Sequence, residues 1–256
     1  MDVSEYIGAV SDEGERFARA AEAGSLAVEI PPCPGWTMRD LVRHLGFIHL
    51  WAAENVTHPI DDWADVDDLP DLTAHWPELA TAWPDDADLV AWYRRTNANL
   101  VRVLESAPPD LECFAFLPAP TPLTMWSRRQ ASEIAIHRFD AEVAHGVVSQ
   151  FDEAFAADML DELLAGFAPR PGKVAVDDTR TIHVHASDVD EHWHLTFEPH
   201  GITTCRMVGD ADLTVRATAA ELYLAFWNRT ADTTLGLDGD AGLMDTWRQT
   251  CRVRWG

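Results

Sequence analysis

The chain has 256 residues, 47% of them hydrophobic, and carries 43 acidic side chains against 19 basic ones, a formal net charge of −24. Such a length allows one large or two modest domains, while so acidic a surface repels phosphate backbones and anionic headgroups, setting nucleic-acid and membrane-surface roles aside. No apolar run of about 18 residues occurs, and the acidic start MDVSEYIGAVSDEGER lacks the order of a secretory signal, so a cytoplasmic protein is expected.

The first half reads helical. Tyr6, Ile7, Val10, Phe17, Ala20 and Ala21 recur at helical spacing over 3–24. IPPCPGW, with three prolines and a glycine, must be a loop. Thr37 opens a second helix through TMRD, a variant of the capping box, running to about residue 56. Residues 57–85, rich in Pro, Asp and Trp, read as a long connection whose composition suggests a lid. A third helix spans roughly 87–105, and a Pro-rich loop separates it from a fourth that begins near Thr124 and ends at Gly146. Four helices with these faces predict an antiparallel bundle.

The second half changes character. A helix near 151–167 and the breaker APRPGK lead into the alternating segments RTIHVHA, HWHLTFE, GITTCRM and DLTVRAT. Thr218 caps a short helix, AAELYLAFWNR, and a further helical stretch, GLMDTWRQ, precedes CRVRW, read as a possible strand. The expected fold class is α+β, a four-helix bundle over 1–150 followed by a smaller α/β domain over 151–256.

The chemistry gathers on the fourth helix. In SEIAIHRFDAE, His137 lies about 40° from Glu133 on a helical wheel and Asp140 about 20° on the other side, sharing a stripe with Trp126 and Ala144. Arg128 and Glu142 fall on the opposite face, where a solvated side is expected, and Arg138 is expected to point outward as well. Burying the inward groups unpartnered would cost roughly 2–7 kcal/mol each. One answer is an internal hydrogen-bond network; the other is a metal held by Glu and His at i,i+4, which needs a third ligand from another helix. His44 qualifies, because it shares the apolar stripe of Leu41, Ile48 and Trp51, whereas His49 lies about 140° away. Two His and one carboxylate leave coordination positions open for water or substrate.

PPCPGWTMRDLVRHLGFIHLWAA and RRQASEIAIHRFDAE resemble the two signatures of the mycothiol-dependent maleylpyruvate isomerase family, within the DinB-like metalloenzyme superfamily. ATAAELYLAFWNR is similar to a helix of that family's C-terminal domain, so the resemblance spans most of the chain. It implies a DinB-like metal-binding bundle, a divalent metal (zinc above all) on His44, Glu133 and His137, Asp140 orienting an imidazole, and mycothiol as thiol cosubstrate. It implies either a cis–trans isomerase of the maleylpyruvate type or an S-transferase acting on an electrophilic small molecule. Arg94, Arg95 and Arg129 are the candidates for anchoring an anionic substrate. Residues 57–85 match no part of the family pattern. A metal-dependent hydrolase using the same open site is the alternative within enzymes, and a non-catalytic small-molecule-binding bundle the alternative outside them. The chain is expected as a monomer or homodimer.

Two features stand apart. Cys33, Cys113, Cys205 and Cys251 form no CxxC pair, which excludes a Cys-rich zinc module and fits a reducing compartment. Cys33 matches a family position but reads first as a loop residue. HVH at 183–185 and HWH at 192–194 place four imidazoles on one face of a hairpin turning at Asp188–Val189, with Ile182, Val184, Trp193 and Leu195 on the apolar face. That face reads as solvated, with adventitious metal binding as the other possibility.

Overall fold

The computed structural model describes residues 1–57, 79, 84–169, 174 and 176–251. These fall into two compact units, the first spanning Met1–Ser149 and the second beginning at Gln150. The first is a four-helix bundle and the second is built on a five-stranded sheet, so the chain is α+β. Among the described residues no helix is long and apolar enough to cross a membrane. Most of the 57–85 connection, read as a lid, and the CRVRW strand after Cys251 lie outside the described residues.

Two of the four bundle helices, the first and the last, open on a side-chain cap that the sequence offers. Helix α1 (Val3–Glu22) opens on a capping box: the Glu5 amide donates to Asp2 Oδ1 at 2.9 Å and the Asp2 amide to Glu5 Oε2 at 2.7 Å. Helix α2 (Met38–Thr57) forms only half of its box. Asp40 accepts the Thr37 amide at 2.8 Å, but the Thr37 hydroxyl also donates to Asp40, at 2.6 Å, instead of accepting from the helix. Helix α3 covers Asp86–Ser106. Helix α4 (Pro122–Ala144) begins a little earlier than expected, because Thr121 is the cap and Pro122 takes the first turn, where no amide is needed. It ends in a Schellman arrangement: Gly146, at φ +69°, donates to Val143 and Val147 to Glu142.

Helix α1 packs against α4 and α3, and α2 against α3 and α4, which closes the bundle. The α2–α3 approach is close at Gly46, where a Cβ would lie 2.2 Å from the Trp92 ring. Nearby, His49 is fully buried with its Nδ1 3.4 Å from Thr96 Oγ1. The Thr96 hydroxyl proton is committed to the Tyr93 carbonyl at 2.8 Å, so His49 Nδ1–H is the donor. Burial, reinforced by the neighbouring His44, presses its pKa down to about 3.

Helix α4 departs from the amphipathic reading. Eighteen of its 23 residues are buried, and the supposedly solvated face is covered. Arg138 is fully buried, not outward: its Nε donates to Glu13 Oε2 at 2.6 Å and its Nη1 to Glu142 Oε2 at 2.8 Å. Glu142 is buried with it, and Arg16 completes the cluster by donating to Glu13 at 2.9 Å. The cause is α1, which lays Glu13 across that face and supplies the counter-charge that makes the burial tolerable. Arg128 is half-buried.

In the second unit, α5 (Glu153–Asp161), capped by Asp152, continues as a π-helical turn over Glu162–Phe167. Strands β1 (Arg180–Ala186), β2 (Glu191–Glu198), β3 (Gly201–Cys205), β4 (Leu213–Ala217) and β5 (Gly236–Gly239) form a sheet of order β3-β2-β1-β4-β5. Only the β1–β4 pairing is parallel. Ile182, Val184, Trp193 and Leu195 are fully buried, as the alternation predicts. Helix α6 (Ala219–Phe226) carries a capping box between Thr218 and Glu221, and α7 (Gly242–Thr250) docks Trp247, whose Nε1 donates to the Phe226 carbonyl at 2.8 Å.

Gly46→Ala should lower the unfolding free energy by about 1–3 kcal/mol, despite alanine's better helix propensity, because the buried Trp92 ring would have to shift to admit the methyl group; urea unfolding measures it. His49 gives a pH dependence of known sign. Its folded pKa lies below its unfolded value, so the unfolded chain takes up a proton first as pH falls below about 6.5. Stability therefore drops between about pH 6.5 and pH 3, by on the order of 1 kcal/mol per pH unit from this group. In chelator, the urea midpoint of His49→Leu should vary less steeply with pH than that of the wild type across the upper part of this window.

Candidate metal centre

The sequence IPPCPGW makes a tight turn that presents two side chains to the bundle. Trp36 N–H donates to the Cys33 carbonyl at 3.0 Å across Pro34 and Gly35, and Gly35 sits at φ +87°. That is a type II turn with its two favoured residues in place. A bridge between Glu29 and Thr37 and the hydrogen bond from Ile30 N–H to the Trp36 carbonyl, 2.9 Å, fix the turn at the head of α2.

Two turns into α2, His44 points at α4. Its Nε2 lies 3.0 Å from Glu133 Oε1, and His137 Nε2 lies 3.3 Å from the same oxygen. The three ligand atoms are mutually within 4.8 Å. The second carboxylate oxygen of Glu133 accepts from Arg129 Nη2, one turn earlier on α4. His137 Nδ1 is 2.9 Å from Asp140 Oδ2, and the Cys33 thiol donates to that same oxygen at 3.3 Å. Trp36 closes over the imidazoles, its ring stacked 6.4 Å from His137 and edge-on 5.1 Å from His44. Glu133 and His137 are 3% and 1% exposed, so this polarity is withdrawn from water.

The electrostatics follow from burial set against partners. Burial alone would raise the Glu133 pKa, but the Arg129 charge and the two imidazoles beside the carboxylate hold it well below the usual carboxylate range. Burial disfavours protonated His137, yet Asp140, Cys33 and Glu133 together raise its pKa well above normal. His44 is pushed down, mainly by burial, and Glu133 only partly offsets this.

Among the described residues, His137 Nε2 is buried and has no hydrogen bond of acceptable geometry although a carboxylate oxygen is beside it. The outer atoms, in contrast, are paired: Nδ1 with Asp140, and Glu133 Oε2 with Arg129. Three donors therefore converge, two of them held from behind, and a set of two imidazoles and one carboxylate suits zinc. Cys33, His137 and Asp140 form a second close group. Its contacts are already satisfied as hydrogen bonds, so they fit the role of supporting the His44 group.

The sequence-derived candidates are thus distributed unevenly. His44, Glu133 and His137 come together, Asp140 stands behind His137, and Arg129 stands behind Glu133. Arg94 is engaged by Glu15, at 2.9 Å, and by Glu22, both on α1. Arg95 is exposed on α3. Trp36 and the Cys33–Asp140 contact were not singled out from the sequence. The signals for them were the match of Cys33 to a family position and Pro-Gly followed by Trp directly before a helix.

Comparison with known proteins places these features in context. The sequence matches the family described as mycothiol maleylpyruvate isomerase N-terminal domain over residues 7–142, and the one described as MDMPI C-terminal domain over residues 154–246. The fold is similar to a crystal structure of the mycothiol-dependent maleylpyruvate isomerase, at a TM-score of 0.64 and 13% identity, covering 93% of each chain. A histidine-to-alanine mutant of the mycothiol-dependent maleylpyruvate isomerase aligns at a TM-score of 0.63 and 12% identity, again over 93% of each chain. No curated protein matches.

Arg129→Met would leave the Glu133 carboxylate buried without its cation. In chelator, this substitution should cost about 3 kcal/mol or more of unfolding free energy by urea titration.

Proposed function

The chain belongs to the mycothiol maleylpyruvate isomerase family, and from that premise we propose that it is a thiol-dependent metalloenzyme acting on an electrophilic small molecule. The observation that carries the reading is the convergence of His44 Nε2 and His137 Nε2 on one buried oxygen of Glu133. In this reading His44, Glu133 and His137 hold a divalent cation, zinc by the character of the donors. Such a cation would stabilise the thiolate form of an incoming thiol, mycothiol in this family, and so make its sulfur nucleophilic.

The chain's own residues prepare the site. Asp140 holds the Nδ1 proton of His137, so that Nε2 is the nitrogen that would be offered to the cation. Arg129 neutralises Glu133 and fixes which oxygen faces the imidazoles. Trp36 shields both rings and limits water at the centre. Addition of the sulfur to a conjugated double bond, rotation about the resulting single bond and expulsion of the same sulfur give cis–trans isomerisation. Retention of the new C–S bond, with a proton placed on the adjacent carbon, gives S-transfer. We favour the isomerase outcome because it is the activity the family is named for. Arg129 is assigned to Glu133, which leaves Arg94 and Arg95 without a part in this proposal.

Protein purified without a histidine tag should carry zinc, and His44→Ala/Glu133→Ala/His137→Ala should lose about one equivalent per chain. The same variant should lose mycothiol-dependent conversion of a cis-configured conjugated dicarboxylate. Unchanged zinc content in this variant refutes the site. Zinc binding without any thiol-dependent turnover refutes the chemistry and turns attention to hydrolysis. Asp140→Asn should keep the fold and weaken zinc binding roughly 10–100-fold by calorimetry.

A further inference from the structure

The histidine hairpin of the second unit has a geometry that the bundle chemistry does not use. Strands β1 and β2 pair His185 with His192 and His183 with His194. The connecting turn ends at Asp190, which adopts φ +55°, a left-handed conformation that aspartate tolerates better than most residues. That conformation folds the carboxylate back over the end of the hairpin. Asp190 Oδ1 then lies 3.2 Å from His185 Nε2 and 3.4 Å from His192 Nε2. The two rings are nearly parallel, 4.1 Å apart, so both nitrogens face the same oxygen. The three atoms fall within 4.8 Å of one another, and the Asp190 side chain is 88% exposed.

We propose that His185, His192 and Asp190 form a second metal site, contained within the β1–β2 hairpin, for a divalent cation of the zinc, nickel and copper class. Two imidazole nitrogens among three donors select such a cation over magnesium or calcium, whose preferred ligands are all oxygen. His183 supports the set from behind: its Nε2 lies 3.0 Å from His192 Nδ1, so that nitrogen has a partner when Nε2 is a ligand. His194 takes no part, because its Nε2 is turned to the Asp210 carbonyl at 3.1 Å. The exposed side of Asp190 leaves room for water to complete the coordination. The net charge of −24 raises the local concentration of cations around the whole protein. Because the site joins two strands across their turn, a cation bound there ties the hairpin closed and stabilises the folded second unit.

Calorimetric titration of zinc chloride into tag-free, chelator-treated full-length protein tests this. The wild type should show two classes of site. His185→Gln/His192→Gln should lose one class, while His44→Ala/Glu133→Ala/His137→Ala should keep that same class. Asp190→Asn retains a residue suited to positive φ and should weaken the hairpin class at least roughly tenfold, which preserves the test if the double variant does not fold. Zinc stoichiometry and affinity unchanged by both hairpin variants would overturn the proposal. Failure of the bundle site would instead remove the other class and leave this one in place.

Discussion

A carboxylate withdrawn from water must be answered by its surroundings, and in this protein Glu133 sets the terms for much of the bundle. One oxygen is neutralised by Arg129 from the preceding turn, and the other is approached by imidazoles from two helices. The approach works only if α2 and α4 lie side by side at a fixed register. Gly46 serves the same helix from its other side, since α2 can lie this close to α3 only where it has no side chain. Electrostatics at the centre and sterics behind it therefore fix the position of one helix.

The same logic runs outward in layers. Asp140 would be a liability in the bundle interior, yet it accepts from His137 and from Cys33. Cys33 can reach it because Pro34 and Gly35 reverse the chain just before α2, and the same reversal delivers Trp36 to the imidazoles. A short loop composed for its turn geometry thus supplies both a hydrogen-bond donor and an aromatic cover. On the far side of α4, Arg138, Glu13 and Glu142 form a second buried charge cluster. It shares no ligand with the first, so each cluster must balance its own charge.

What could be read directly from the sequence was whatever depends on local periodicity. Glu133 and His137 are four residues apart on one helix and His44 sits on an apolar stripe, so their common inward direction was visible without coordinates. The hairpin register was visible for a related reason: a period of two leaves no freedom about which face takes Ile182, Val184, Trp193 and Leu195. Features set by partners distant in sequence were hidden. A helical wheel puts Arg138 and Glu142 outside because it knows nothing of Glu13, which lies 125 residues from Arg138. Cys33 and Trp36 belong to no periodic element, and Asp190 joins the imidazoles only through the left-handed backbone of a turn. Strand β5, four residues with glycine at both ends, carries too little pattern to announce itself.

The two charge clusters on α4 have a consequence for how this chain can vary in length. Arg129, Glu133, His137 and Asp140 engage one side of the helix while Arg138 and Glu142 engage another, and the two sets interleave along the same stretch. A single residue inserted or deleted there would rotate everything beyond it by about 100°. Both sets of buried ions would then be stranded at once, with no solvent face to receive them. The spacing between Arg129 and Glu142 is for that reason a ruler, and the bundle is held to its length along it.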